Sequence, residues 1–91
     1  MLSPVERKSL KARAHKLEPV VQIGAKGLTD EVVAEIERAL NAHELIKVRA
    51  GGLERDAREE ALNFICNKTG AAAVQQIGKI FVLFRKKDDQ A

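Results

Sequence analysis

The sequence predicts a single α/β domain, three helices and four short strands in the order α-β-α-β-α-β-β, forming a four-stranded mixed sheet packed with helices. Three observations lead there. Segments whose apolar residues recur every three to four positions alternate with short runs rich in Val, Ile and Leu. Gly and Pro stand between those segments, at Pro19, Gly24, Gly27, Gly51, Gly52, Gly70 and Gly78, where they end one element and release the next. Ninety-one residues, 45% of them apolar, supply one buried core and are too few for two. The domain is expected to fill residues 1–87, with a short polar tail at 88–91.

The first helix starts at Ser3-Pro4-Val5-Glu6, with Ser3 as N-cap, Pro4 in the first turn and Glu6 closing a capping box, and runs to about His15. Leu10, Ala14 and Leu17 share one side of it, and Arg7, Lys8, Lys11 and His15 form a basic stripe on the neighbouring sector. Pro19 stops any helix, and Val20–Ile23 make the first strand. Thr29 caps a second helix to about Ala42, apolar at Val32, Val33, Ile36, Ala39 and Leu40 and polar at Glu31, Glu35, Glu37 and Arg38. Leu45-Ile46-Lys47-Val48-Arg49 alternates as a half-buried strand does, so Lys47 and Arg49 project together, and Gly51-Gly52 closes it. A third helix from about Arg55 to Lys68 is expected to bury Ala57, Ala61, Leu62 and Ile65, with Gly70 as its C-terminal cap. Ala73–Ile77 and Ile80–Phe84 then form a hairpin across Gly78-Lys79, and Arg85-Lys86-Lys87 is expected to leave the sheet as a basic tail.

Charge is divided along the chain. Residues 1–28 carry six Lys/Arg against two Asp/Glu, residues 29–67 five against nine, and residues 68–91 five against two. A fold that joins the two ends presents one positive and one negative face, the footprint of a polyanion binder or simply of a soluble domain. Several classes fall away. No apolar run reaches the ~20 residues that span a bilayer, and the first residues lack a signal-peptide core, so no membrane partner and a cytoplasmic location are expected. One cysteine, Cys66, makes neither an internal disulfide nor a thiolate metal site. His15, His43 and Cys66 are scattered, so no catalytic group, metal, cofactor or small-molecule substrate is expected.

One stretch carries chemistry. Val20-Val21-Gln22-Ile23 runs into Gly24-Ala25-Lys26-Gly27 and then into the cap at Thr29, a strand, glycine loop and helix start. Backbone N–H groups at a helix start favour an anion, and Lys26 adds the only charge of the loop. Two glycines at this spacing also make an ordinary tight turn, and the tetrapeptide by itself fits both readings.

Leu17 through Thr29, together with His43-Glu44-Leu45-Ile46-Lys47-Val48, Gln76-Ile77-Gly78-Lys79 and Val82-Leu83-Phe84-Arg85, resembles the CRM domain, the chloroplast RNA splicing and ribosome maturation module, in its stand-alone bacterial YhbY-like form. The resemblance covers all but the extreme ends. It implies a fold similar to the C-terminal domain of translation initiation factor three, RNA binding, and association with precursors of the large ribosomal subunit, with ribosomal RNA and ribosomal proteins as the partners in view. The family's loop maps onto Gly24, Ala25, Lys26 and Gly27.

Together these readings give an expected mechanism. The Gly24–Gly27 loop packs against a sugar–phosphate backbone while Lys26, the Arg7/Lys8/Lys11 stripe and Lys47, Arg49 or Arg85 neutralise phosphates. Only Phe64, Phe81 and Phe84 are aromatic, and Phe81 and Phe84 differ in strand parity, so a paired stacking platform is not expected and RNA shape is favoured over base sequence. The alternative is a protein-interaction module that docks a basic partner on the acidic helix faces. A DNA-binding α/β domain is set aside on the leading basic helix and the motif set.

Overall fold

Among the described residues, two of the three helices begin on a side-chain cap. In α1 (Pro4–Ala14) the Ser3 hydroxyl accepts from the Glu6 N–H at 3.1 Å while the Glu6 carboxylate accepts from the Ser3 N–H at 3.0 Å. That backbone hydrogen bond holds the Glu6 carboxyl below the usual carboxylate range. In α2 (Asp30–His43) the Thr29 hydroxyl accepts from the Val32 N–H at 3.2 Å. The third helix, α3 (Arg55–Thr69), has no side-chain cap and ends on Gly70 in the left-handed conformation. The strands are β1 (Pro19–Gln22), β2 (Leu45–Arg49), β3 (Ala72–Ile77) and β4 (Ile80–Phe84). This is a computed structural model, and it describes residues 2–87. The tail expected at 88–91 lies outside the described residues.

The sheet runs β1-β2-β4-β3. β1 and β2 are parallel and joined through α2, while β2–β4 and β4–β3 pair antiparallel. Alternation along β2 sorts its residues between two faces. Ile46 and Val48 join Val21, Ile23, Ile36, Leu40, Ile65, Phe81 and Leu83 in the larger core under α2 and α3. Leu45 faces the other way, into a smaller core with Leu10, Ala14, Val74 and Val82 under α1. Phe81 and Phe84 part as their parity requires, one into each core.

One short helix covers only half of a sheet face. The cross-strand row Gln22, Arg49, Ile80, Ile77 lies beyond α1, and Gln22, Arg49 and Ile77 are exposed there. Lys47, one alternation back along β2, is half-buried on the same face.

Three local expectations are corrected. Leu17 lies past the end of α1, which stops at Ala14 with His15 as its cap, and is 37% exposed instead of joining Leu10 and Ala14. Ala57 is exposed, because α3 meets the sheet through Ala61, Leu62, Ile65 and Thr69 and its first turn faces solvent. Residues 85–87 do not leave as a tail. The Arg85 N–H donates to the Glu44 carbonyl at 2.9 Å and the Lys87 N–H to the Glu44 carboxylate at 2.7 Å.

Candidate nucleic-acid interface

The glycine loop is a tight turn with a braced base. The Gly27 N–H donates to the Gly24 carbonyl at 3.0 Å, and Gly27 sits at φ +76°, a conformation that costs a residue with a Cβ. Leu28 packs on the larger core beneath it, and Thr29 opens α2. Ala25 and Lys26 are left exposed at the tip. The brace comes from the turn after β2, where the Ile23 N–H donates to the Arg49 carbonyl at 2.8 Å and the Gly52 N–H to the Ile23 carbonyl at 2.9 Å. A Cβ on Gly52 would overlap the Gly24 carbonyl group and the Ala25 nitrogen. The two loops therefore touch backbone to backbone.

A third turn joins them. The Ala50 N–H donates to the Lys79 carbonyl at 2.6 Å, which places the Gly78-Lys79 hairpin turn at the same end of the sheet. Lys26, Arg49 and Lys79, all exposed, thus ring one end of the molecule, with the half-buried Lys47 behind Arg49 on the same sheet face. Neither Gly52 nor Lys79 stands out in the sequence as part of an interface. Gly52 was legible only as half of a strand-ending Gly-Gly pair, and Lys79 only as a turn residue.

The expected stripe on α1 divides. Lys8 is exposed and Lys11 half-buried, on the flank of α1 away from Glu6, Ser9 and Arg13, which line a groove with Phe84. Arg7 is used internally, its Nη1 donating to the Ala73 carbonyl at 2.6 Å and the Val74 carbonyl at 3.0 Å of β3. Arg85 corrects its expectation further. Its Nη1 donates to both Glu37 carboxylate oxygens at 3.0 Å and to the Thr69 carbonyl at 2.7 Å, and its Nη2 to Asn41 Oδ1 at 2.8 Å. It lies at the end of β4 remote from the glycine loop, clamping α2 and α3, because a guanidinium has enough donors to satisfy a carboxylate and a helix C-terminus at once.

Charge separates across the sheet. α1 carries four Lys/Arg and one Glu, whereas α2 and α3 together carry seven Asp/Glu and four Lys/Arg. Glu31, Glu35, Asp56, Glu59 and Glu60 are exposed on that second side, while Glu37 is drawn to Arg85. Among the described residues no three His, Cys, Asp or Glu side chains gather as metal ligands. Cys66 is half-buried against the larger core, where burial pushes its thiol up. No helix of the described residues is long and apolar enough to cross a membrane.

The CRS1/YhbY (CRM) domain model matches residues 2–85, from the residue before the α1 cap to the Arg85 clamp. The chain belongs to the CRS1/YhbY (CRM) domain family. Within it, the chain is 49% identical over 88 residues to a Haemophilus influenzae protein named an RNA-binding protein, covering 97% of this chain and 89% of that one. A Pseudomonas aeruginosa relative, named a probable RNA-binding protein, is 44% identical over 93% of this chain and 82% of its own length. The fold matches the solution structure of a Staphylococcus aureus protein proposed to bind RNA, with a TM-score of 0.84 at 28% identity, over 100% of this chain and 95% of that one. The α/β architecture expected from the sequence is thus the family's own.

Proposed function

We propose that this CRM-family chain binds RNA by its sugar–phosphate backbone at the end of the sheet formed by the glycine loop and its two neighbouring turns. The single observation that carries the reading is the convergence there of a braced Gly24–Gly27 loop with Lys26, Arg49 and Lys79. Backbone N–H groups of the loop and mobile ammonium groups donate to phosphate oxygens, and Lys47, Lys8 and Lys11 extend the positive surface along the α1 face. Relatives named as RNA-binding proteins support the same polyanion. Arg7 and Arg85 hold the fold and take no part. Phe81 is fully buried and Phe84 half-buried, so the sheet offers no aromatic pair on which to stack bases.

The RNA we assign is that of large-subunit ribosomal precursors in the cytoplasm, which the family resemblance implies, with assembly of that subunit as the role. Binding should weaken with salt, log K falling linearly against log salt. Lys26→Ala is expected to lower affinity for large-subunit RNA and reduce that slope by about one, while duplex DNA competes poorly. Unchanged affinity and slope in Lys26→Ala would make the loop a plain turn. Sedimentation of the native chain with ribosomal particles tests the assignment of target, which fails if the chain stays at the top of the gradient.

The carboxylate-rich α2–α3 side supports a second reading, docking of a basic protein such as a ribosomal protein. Reversal of Glu35 and Glu60 separates the two, since both are exposed, stand past the first turns of α2 and α3 and lie outside the Arg85 clamp. It abolishes capture of a basic protein and leaves RNA contacts in place.

A further inference from the structure

At the end of the sheet opposite the glycine loop, the α1–β1 connection passes over the starts of β1 and β2 and leaves a groove of about 410 Å³. The RNA-gripping surface described above does not use it. Leu17 and Val20, 37% and 48% exposed, both line this one concavity. Arg13 and Lys16 bring two cations to it against the single carboxylate of Glu18, and His43 adds a planar ring. The size falls in the range of small-ligand sites, and guanidinium and imidazole planes are among the groups on which unpaired bases stack.

The groove lies one strand-length from the proposed interface. In the sheet register Pro19, which opens β1, lies beside the half-buried Lys47 of β2. From Pro19 to Ile23 the chain rises about 13 Å, four steps of ~3.3 Å, so a strand of RNA held at Gly24–Gly27 reaches the groove within a few nucleotides. We propose that the groove receives one unpaired nucleotide of the bound RNA, its base between the Leu17/Val20 wall and the planes of Arg13 and His43, its phosphate on Lys16. This rests on the RNA-binding reading and narrows it, because the preferred RNA then carries a bulged or looped nucleotide near the gripped backbone.

The test compares the full chain on two RNA hairpins, one with a fully paired stem and one with a single 2-aminopurine bulge. The variants are His43→Ala and a Leu17→Ser/Val20→Ser double, which add no charge and alter exposed side chains, with Lys26→Ala as control. The bulged hairpin should bind about tenfold more tightly, with a change in 2-aminopurine fluorescence. Both groove variants should lose most of that gain and the fluorescence change while binding the paired hairpin as before. Lys26→Ala should weaken both hairpins by the same factor. Equal binding of the two hairpins by the native chain, or an equal loss on both in the groove variants, overturns the groove. If neither hairpin binds in a salt-dependent way, the RNA-binding reading fails first and the groove falls with it.

Discussion

Gly52 has no room for a side chain, and its neighbour does. A Cβ on Gly52 would lie on the Gly24 carbonyl group, which is backbone and has no flexible end to swing aside, whereas a Cβ on Gly51 would meet only the Arg49 side chain at 3.6 Å, an ordinary contact. Gly52→Ala must push the two loops apart or break the Gly52 N–H to Ile23 carbonyl bond. We expect it to cost about 1–3 kcal/mol, the range for overpacked sites, and to weaken RNA binding even at temperatures where the domain stays folded. Gly51→Ala should leave both nearly unchanged. Denaturant midpoints and RNA titrations of the two variants check this, and equal behaviour of the pair would mean that the backbone contact does not brace the loop. Both glycines read alike in the sequence, as the close of a strand. What separates them is a residue some thirty positions away, and no local pattern encodes that.

At the scale of elements, the helices and strands were legible because their signals are local. Period-two alternation placed Leu45–Arg49, and Ser3, Thr29 and Gly70 marked helix boundaries, each at the cap position it occupies in the fold. The Arg85 clamp was not legible, since Glu37, Asn41, Thr69 and Arg85 come from α2, the end of α3 and the residue after β4. In sequence Arg85 opens a basic run, and a basic run reads as a phosphate contact. Its ion pair is partly screened, with side chains 21% and 38% exposed, so its worth lies between that of a surface pair and a buried one. Arg85→Ala is expected to destabilise the domain by about 1–2 kcal/mol, through the lost carboxylate pair and the uncapped Thr69 carbonyl. Measured where the variant is fully folded, RNA affinity and its salt slope should match the native chain. A slope reduced by about one, as at a phosphate contact, would return Arg85 to the interface.

For the whole molecule, the sheet works as a partition between a basic α1 side and a carboxylate-rich α2–α3 side, and this organisation sets how a polyanion arrives as well as where it rests. The segmental charges of the sequence already suggested two faces. They could not say which half of the α1 side stays open, because that depends on a helix of only 11 residues covering the Phe84 end and not the Arg49 end. The partition separates rate from contact. Glu35→Lys with Glu60→Lys changes the net charge from +3 by two units per residue, to +7, at exposed positions past the first turns of α2 and α3. Long-range attraction should then speed association at low salt, and the gain should vanish as ionic strength shortens the screening length below about 10 Å. Dissociation and the salt slope of the equilibrium constant should hardly move, since no phosphate contact is added. Lys47→Ala with Arg49→Ala should do the reverse, raising the dissociation rate and lowering the slope. Stopped-flow association and dissociation rates over a salt series distinguish the two. If the charge-reversed variant slows dissociation and steepens the slope, RNA lies against the α2–α3 side and the orientation proposed for the complex is wrong.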